Sequence, residues 1–229
     1  MDKQMINQIL EQLFEQFMTF SIEKREELPK ILVILIFLLF LVRRNNKKTK
    51  ISNRRKKRIE NAFNIIDEKI NFRKEYTISE EIKKELYRKS YNKESILVLV
   101  TSIMEHLGLP DALPIIKVYN VSGCGDVEPG RCYIYGDQQS GITINLLPEY
   151  NLDTVASIVI HECMKHYLNV KKIRFKDESK NELLPDICAI YCGFGGIMYR
   201  GYAAITKQNK LHEIGYLTQS EIRYIMRKL

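Results

Sequence analysis

The feature that most constrains this chain is an uninterrupted run of twelve apolar residues at positions 31–42, ILVILIFLLFLV. A helix of that length extends about 18 Å, whereas the hydrocarbon layer of a bilayer is roughly 30 Å thick. The segment directly after it, residues 43–58, contains ten Lys and Arg and no acidic residue. A core helix is rarely apolar on every face, and a signal peptide would not follow thirty partly acidic residues. We therefore predict membrane attachment through one segment at residues 30–44, which either spans a thinned bilayer or inserts from one side.

The charge distribution predicts how the chain is oriented and what it contacts. The net charge is +8, but the basic segment alone contributes +10, so the rest of the chain carries −2. Nucleic acid is therefore an unlikely partner, and anionic membrane lipids are the expected one. The positive-inside rule places the C-terminal domain in the cytoplasm.

Residues 1–29 are predicted to form an amphipathic helix, because apolar side chains recur there at helical spacing. Such a helix could lie in the membrane interface, pair with a second copy, or pack on the soluble domain. The residues that carry the pattern are Met5, Ile6, Ile9, Leu10, Leu13, Phe14, Phe17 and Met18.

Composition indicates a folded chain with reduced cysteines. Its 229 residues are 45% hydrophobic and 28% charged, which excludes a disordered or fibrous protein. The five cysteines are an odd number without a C-x-x-C pair, as is typical of free thiols in a cytosolic compartment.

The periodicity beyond the basic segment predicts an α+β fold, with a helical linker at 45–92 and a compact domain at 93–229. The predicted helices are 59–72, 79–91, 93–107, 152–170, 182–200 and one from Gln219, and the predicted strands are 114–120, 131–135 and 141–146.

The residues that suggest chemistry lie on the two helices after the strands. A helical zinc hydrolase needs two imidazoles on one helix face, a carboxylate beside the first, and a third ligand from elsewhere. His161, Glu162, His166 and Glu182 supply these residue types. Asp186, one helical turn after Glu182, could orient a zinc-bound histidine through its second ring nitrogen.

The histidine spacing is irregular, because the motif reads H-E-x-x-x-H and the two imidazoles are five residues apart. On a regular α-helix His161 and His166 would be about 140° apart and could not share a tetrahedral ion. A π-bulge would place residues i and i+5 on one face, and such bulges are frequent at functional sites. We therefore predict a π-bulge between the two histidines.

This stretch resembles the gluzincin metallopeptidases, in which H-E-x-x-H is followed on a second helix by N-E-x-x-x-D, here residues 181–186. The resemblance implies a zincin-like domain with a small mixed sheet, an active-site helix and a glutamate-bearing helix. It also implies His161 as first ligand, Glu162 as general base, Glu182 as third ligand and Asp186 as the carboxylate that orients the first histidine.

The leading hypothesis is a membrane-attached, one-zinc metallopeptidase that cleaves a peptide or protein substrate, with Zn²⁺ held by His161, His166 and Glu182. Glu162 would be the general base for zinc-activated water. The alternative is a catalytically impaired zincin-like domain that acts as a membrane-tethered binding or regulatory module, since a His-Glu pair can also be a satisfied polar network. A third hypothesis is a membrane-bound binder of nucleic acid or anionic lipid that uses residues 43–58.

Overall fold

The computed structural model describes residues 51–71, 73–122, 127–136, 139–175, 178–205 and 211–229, and of residues 178–180, 204–205 and 211–212 it describes the backbone. Ile51–Leu229 form one compact unit. This unit includes most of the predicted linker as well as the whole predicted C-terminal domain. The predicted amphipathic helix at 1–29 and membrane segment at 30–44 lie outside the described residues.

Three helices precede the sheet: α1 (Asn53–Lys69), α2 (Glu80–Arg88) and α3 (Lys93–His106). Each begins after a polar residue whose side chain accepts a backbone N–H of the first turn. The apolar face predicted for α1 is buried, including Ile59 and Ile66 at 0% exposure. Helix α1 therefore contributes to the same core as the elements that follow it.

The sheet has three strands, β1 (Ile115–Asn120), β2 (Gly130–Ile134) and β3 (Ser140–Leu146). Their order is β1-β3-β2, with β1 parallel and β2 antiparallel to the central strand β3. Ile116, Ile142 and Ile144 are buried, whereas Ile115 and Tyr133 are exposed. The sheet thus covers the core with one face, as expected from the alternation of side chains along a strand.

A mostly helical half follows the sheet. Its elements are α4 (Leu152–Val170), a 3₁₀ helix (Glu178–Leu183), α5 (Leu184–Ala189), a kinked helical segment (Ile190–Phe194), α6 (Gly195–Gly201), the antiparallel pair β4 (Ala203–Ile205) and β5 (Leu211–Glu213), and α7 (Gln219–Met226).

Gly193 interrupts the helix in the segment Ile190–Phe194, where the chain passes another segment very closely. Gly193 has φ +96°, and a Cβ atom there would lie 1.8 Å from the carbonyl oxygen of Lys74. The carbonyl of Gly193 accepts a hydrogen bond from the Tyr76 N–H (3.1 Å), and that of Cys192 lies 2.9 Å from Nε2 of His106. Only glycine fits this position, because it tolerates positive φ and has no side chain.

The structure confirms a mixed fold of helices and a small sheet, with strands close to the predicted ranges. The predicted helix at 182–200 is instead broken into a 3₁₀ helix, α5 and α6, with a kink at Gly193 between α5 and α6.

Among the described residues, no helix is both long and apolar enough to cross a bilayer. This finding contradicts the predicted transmembrane helix and the localisation built on it, so that prediction is wrong. The apolar run at 31–42 that motivated it lies outside the described residues.

Candidate functional site

The site is built on α4, which packs against β2, α5 and α6. Asn151 caps the helix by accepting the N–H of Thr154 (2.9 Å), and the helix continues as α-helix to Val170. His161 and Glu162 lie in its buried middle, at 5% and 2% exposure. The predicted π-bulge between His161 and His166 is therefore wrong.

The structure brings Asp186 of α5 to His161. Oδ1 of Asp186 is 2.5 Å from Nδ1 of His161, and Oδ2 accepts the backbone N–H of Tyr216 (2.6 Å). Gly215 has φ +78°, and a Cβ atom there would lie 2.7 Å from both carboxylate oxygens. The turn at 215–216 thus wraps around Asp186, which in turn orients the imidazole so that Nε2 faces away from α5.

Arg55 on α1 holds this turn in place. Its guanidinium donates to the backbone carbonyl of Tyr216 and lies 2.7 Å from the carboxylate of Glu221. Part of the basic segment that the sequence assigns to the membrane surface therefore has a structural role beside the site.

Glu162, the predicted general base, is already paired. Both of its carboxylate oxygens accept hydrogen bonds from Nζ of Lys165 at 3.0 Å, and Oε1 lies 4.0 Å from Nε2 of His161. Strand β2 passes so close to this side chain that a Cβ atom at Gly130 would lie 2.9 Å from Cγ of Glu162. Glu162 is thus enclosed by backbone on one side and neutralised by an ammonium on the other.

Glu182, the predicted third ligand, is an exposed residue of the 3₁₀ helix. The residue before it, Asn181, holds the loop by accepting the N–H of Phe175 (2.6 Å). The pKa of Tyr216 is raised by partial burial and then by the negative charge of Glu182, with smaller effects from Lys165 and Asp186.

His166, the predicted second ligand, is fully buried on another face of α4 and uses both ring nitrogens within the fold. Nε2 lies 2.7 Å from the backbone carbonyl of Ala112, and Nδ1 lies 2.8 Å from Oγ of Ser140. A carbonyl can only accept, so Nε2 carries the proton and Nδ1 accepts from the Ser140 hydroxyl. Burial lowers the pKa of His166, which favours this neutral form.

The predicted metal site is corrected on this geometry. Among the described residues, no group of three His, Cys, Asp or Glu side chains is arranged to hold a metal ion. His166 cannot bind a metal through Nδ1 or Nε2 without giving up a buried hydrogen bond, and the regular helix directs it away from His161. The residues present do not fit zinc, and the predicted metal-binding character of this site is wrong for that reason.

Lys165, Gly130, Gly215 and Tyr216 belong to the site but were not predicted from the sequence. A usable signal existed for Lys165, because it stands four residues after His161, where H-E-x-x-H would have its second histidine. The others could not be found from sequence, since they reach the site through the sheet and through a turn thirty residues away from Asp186.

Comparison with known proteins gives no match to a family model, to a curated protein or to a solved structure.

Proposed function

We propose that residues 51–229 form a zincin-like domain that binds extended peptide segments without cleaving them. This corresponds to the catalytically impaired binding module among the sequence hypotheses. The observation that carries the proposal is how His166 is used. Both of its ring nitrogens are bonded inside the core, so among the side chains that the structure describes no second imidazole accompanies His161. The pairing of Glu162 with Lys165 adds support, because a general base must be available to accept a proton.

The zincin-like assignment is supported by the arrangement of elements around α4. A strand at the end of a mixed sheet runs beside the helix that carries His161 and Glu162, and the next helix supplies Asp186 to the imidazole. This is the order implied by the resemblance of residues 158–195 to gluzincins, apart from the missing second ligand.

The peptide-binding surface we propose is the open side of β2. Strand β2 is last in the order β1-β3-β2, so among the described strands it pairs with β3 alone. The N–H of Tyr135 donates to Gln139 (2.9 Å), and bonding alternates along an antiparallel pair, so the peptide groups of Cys132 and Ile134 are directed away from β3. Such groups pair with an added extended segment, which is a common mode of peptide recognition.

Side chains along this strand suit an apolar peptide. Tyr133, Ile134 and Tyr135 are 43%, 53% and 65% exposed, although large hydrophobic side chains usually bury most of their surface. A bound segment would cover part of them and gain hydrophobic free energy.

The experiment incubates the full chain with a proteome-derived peptide mixture and follows cleavage by mass spectrometry and retention on the immobilised chain. We expect retention without cleavage, and equal retention by Glu162→Gln. Ile134→Pro should reduce retention because it removes an N–H on the open side, whereas Ile134→Ala keeps that N–H and serves as the matched control. Cleavage that disappears in Glu162→Gln would instead establish the peptidase hypothesis.

A further inference from the structure

A cleft lies at the end of the sheet where β1 and β3 finish, and it has no part in the proposed function, which uses the open side of β2. Its volume is about 370 Å³, within the range of small-molecule sites in proteins. We propose that this cleft binds a small, uncharged molecule that contains an aromatic ring and packs against the side chain of Tyr91.

The position of the cleft follows from the strand directions. Asn120 and Leu146 are the last residues of the parallel strands β1 and β3, they are paired in register, and both line the cleft. Val121, which also lines it, continues the pairing by donating its N–H to the Leu146 carbonyl (2.9 Å). Parallel strands finish at the same edge, and ligands of open sheets bind in the crevice outside the carboxyl ends of such strands. The topology therefore makes this edge the expected place for a small-molecule site.

The side chains of the cleft indicate an uncharged, apolar ligand. Val121, Leu146 and Val155 contribute aliphatic surface, and Tyr150, which is 5% exposed, contributes an aromatic ring. Among the described residues that line the cleft there is no Lys, Arg, Asp or Glu. An ion that entered would lose its hydration without meeting a counter-charge, whereas an aromatic ring would gain hydrophobic free energy.

Polar side chains also line the cleft, so the ligand can carry a hydrogen-bonding group. Ser90 and Ser122 supply hydroxyls, and Asn120 supplies an amide. A hydroxyl and an amide can each donate and accept a hydrogen bond. A ring with one hydroxyl or one ring N–H, as in phenol or indole, combines the apolar body with the polar edge that this lining matches.

The turn that carries Tyr91 is strained, and the strain concerns a residue of the cleft. Ser90 and Tyr91 have φ values of 49° and 56°, although left-handed backbone at the end of a helix usually falls on glycine. The turn is held by hydrogen bonds from the Ser90 N–H to the Tyr87 carbonyl (3.2 Å) and from the Tyr91 N–H to the Leu86 carbonyl (3.0 Å). Strained backbone at bulky residues concentrates at ligand clamps. A function for the Tyr91 ring in the cleft accounts for a tyrosine at this position.

The experiment titrates the methyl-labelled full chain with phenol and, separately, with benzoate, and follows the methyl signals by NMR. Benzoate is the matched control because it has the same ring with a negative charge. We expect phenol to shift the methyl signals of Val121, Leu146, Leu147 and Val155 at concentrations up to about 10 mM, and benzoate to leave them in place. Absence of phenol-dependent shifts at these methyl groups, or equal shifts with benzoate, would overturn the inference.

Tyr91→Ala tests the aromatic contact, because it removes the ring and leaves the other lining residues unchanged. We expect it to weaken phenol binding by about tenfold, since a ring–ring contact and the apolar area it buries are lost. Tyr119→Ala is the control: Tyr119 precedes Asn120 but is 52% exposed and does not line the cleft, so phenol binding should not change. Equal phenol binding by Tyr91→Ala and the wild type would overturn the inference. The wild-type titration decides the case in which Tyr91→Ala does not fold, because it needs no variant.

Discussion

Helix α4 and the α5–α6 segment (residues 184–201) pack against each other, but only one of them is a regular helix, and it is the one whose sequence motif is irregular. Helix α4 contains the irregular H-E-x-x-x-H motif, yet it is a regular α-helix throughout. The α5–α6 segment has no irregular motif, yet its helix is interrupted by the kink at Gly193. The comparison teaches that tertiary contacts decide where a helix departs from regularity. The backbone at Gly193 leaves the helical conformation where it packs against the Lys74 carbonyl, whereas His166 bonds to Ser140 and Ala112 from a regular helix.

The largest expected effect tests why the helix is interrupted at Gly193. Gly193→Ala forces a Cβ atom against the Lys74 carbonyl at a residue with φ +96°, so we expect a loss of at least about 4 kcal/mol in the free energy of unfolding, measured in urea. Gly196→Ala is the matched control, because the nearest atom to its Cβ would be the end of the Arg200 side chain at 3.5 Å. A Gly193→Ala variant as stable as Gly196→Ala would break the comparison.

The next prediction tests what keeps α4 regular. His166→Ala removes two buried hydrogen bonds and leaves the Ser140 hydroxyl and Ala112 carbonyl without this partner, so we expect a loss of about 3 kcal/mol in the free energy of unfolding. Ser140→Ala removes one of the two bonds and should cost about 1 kcal/mol. If His166→Ala were neutral, the core role assigned to His166 would be wrong.

The same histidine should make stability depend on pH. Burial lowers the pKa of His166 in the folded state, so the unfolded chain binds the proton first as pH falls below about 6.5. The stabilisation is therefore fully present above that pH and is lost as pH falls toward the folded-state pKa. Between pH 7.5 and 5 this loss is bounded by about 2 kcal/mol, since each pH unit below 6.5 contributes at most about 1.4 kcal/mol.

Urea unfolding of the wild type and His166→Leu at both pH values isolates that contribution. The leucine variant should lose less stability on acidification than the wild type does. A larger or equal loss in His166→Leu would mean that other groups account for the pH dependence.

The smallest expected effect tests how Tyr191 holds the kinked segment Ile190–Phe194 against the end of α1. The hydroxyl of Tyr191 lies 2.9 Å from Oδ1 of Asp67 and 2.9 Å from the carbonyl of Ile70, at the end of α1. Tyr191→Phe keeps the ring packed and removes the hydroxyl, so we expect a loss of about 1 kcal/mol in the free energy of unfolding. Hydrogen exchange at residues 190–194 should also become faster, and unchanged exchange there would show that Lys74 and Tyr76 suffice to hold the segment.

Much of the fold could be predicted from local sequence. The three strands and the helices at 93–106 and 152–170 follow from side-chain periodicity, capping residues and Gly or Pro boundaries, which act over a few residues. The first helix begins at Asn53, inside the basic segment, whereas it was predicted to begin at Ile59. The helix predicted at 182–200 shows the limit of prediction from local sequence, because the kink that breaks it depends on the Lys74 carbonyl, more than a hundred residues earlier in the chain.

The candidate site divides in the same way. His161, Glu162 and Asp186 were recognisable by residue type and spacing, and the structure brings all three together. The partners that decide what they can do, Lys165 for Glu162 and the turn at Tyr216 for Asp186, are visible only once the helix and the turn are in place.

The sequence by itself determined the order of the helices and of the first three strands up to α4, the buried face of α1 and the residue types gathered around α4, because periodicity and capping are properties of neighbouring residues. The tertiary structure alone decided the role of His166. An imidazole can be a metal ligand, a general base or a core hydrogen-bonding group, and which of these roles it takes depends on the polar atoms that lie next to it in the folded chain. Here the fold places the Ser140 hydroxyl and the Ala112 carbonyl at its two nitrogens, and burial keeps the ring neutral.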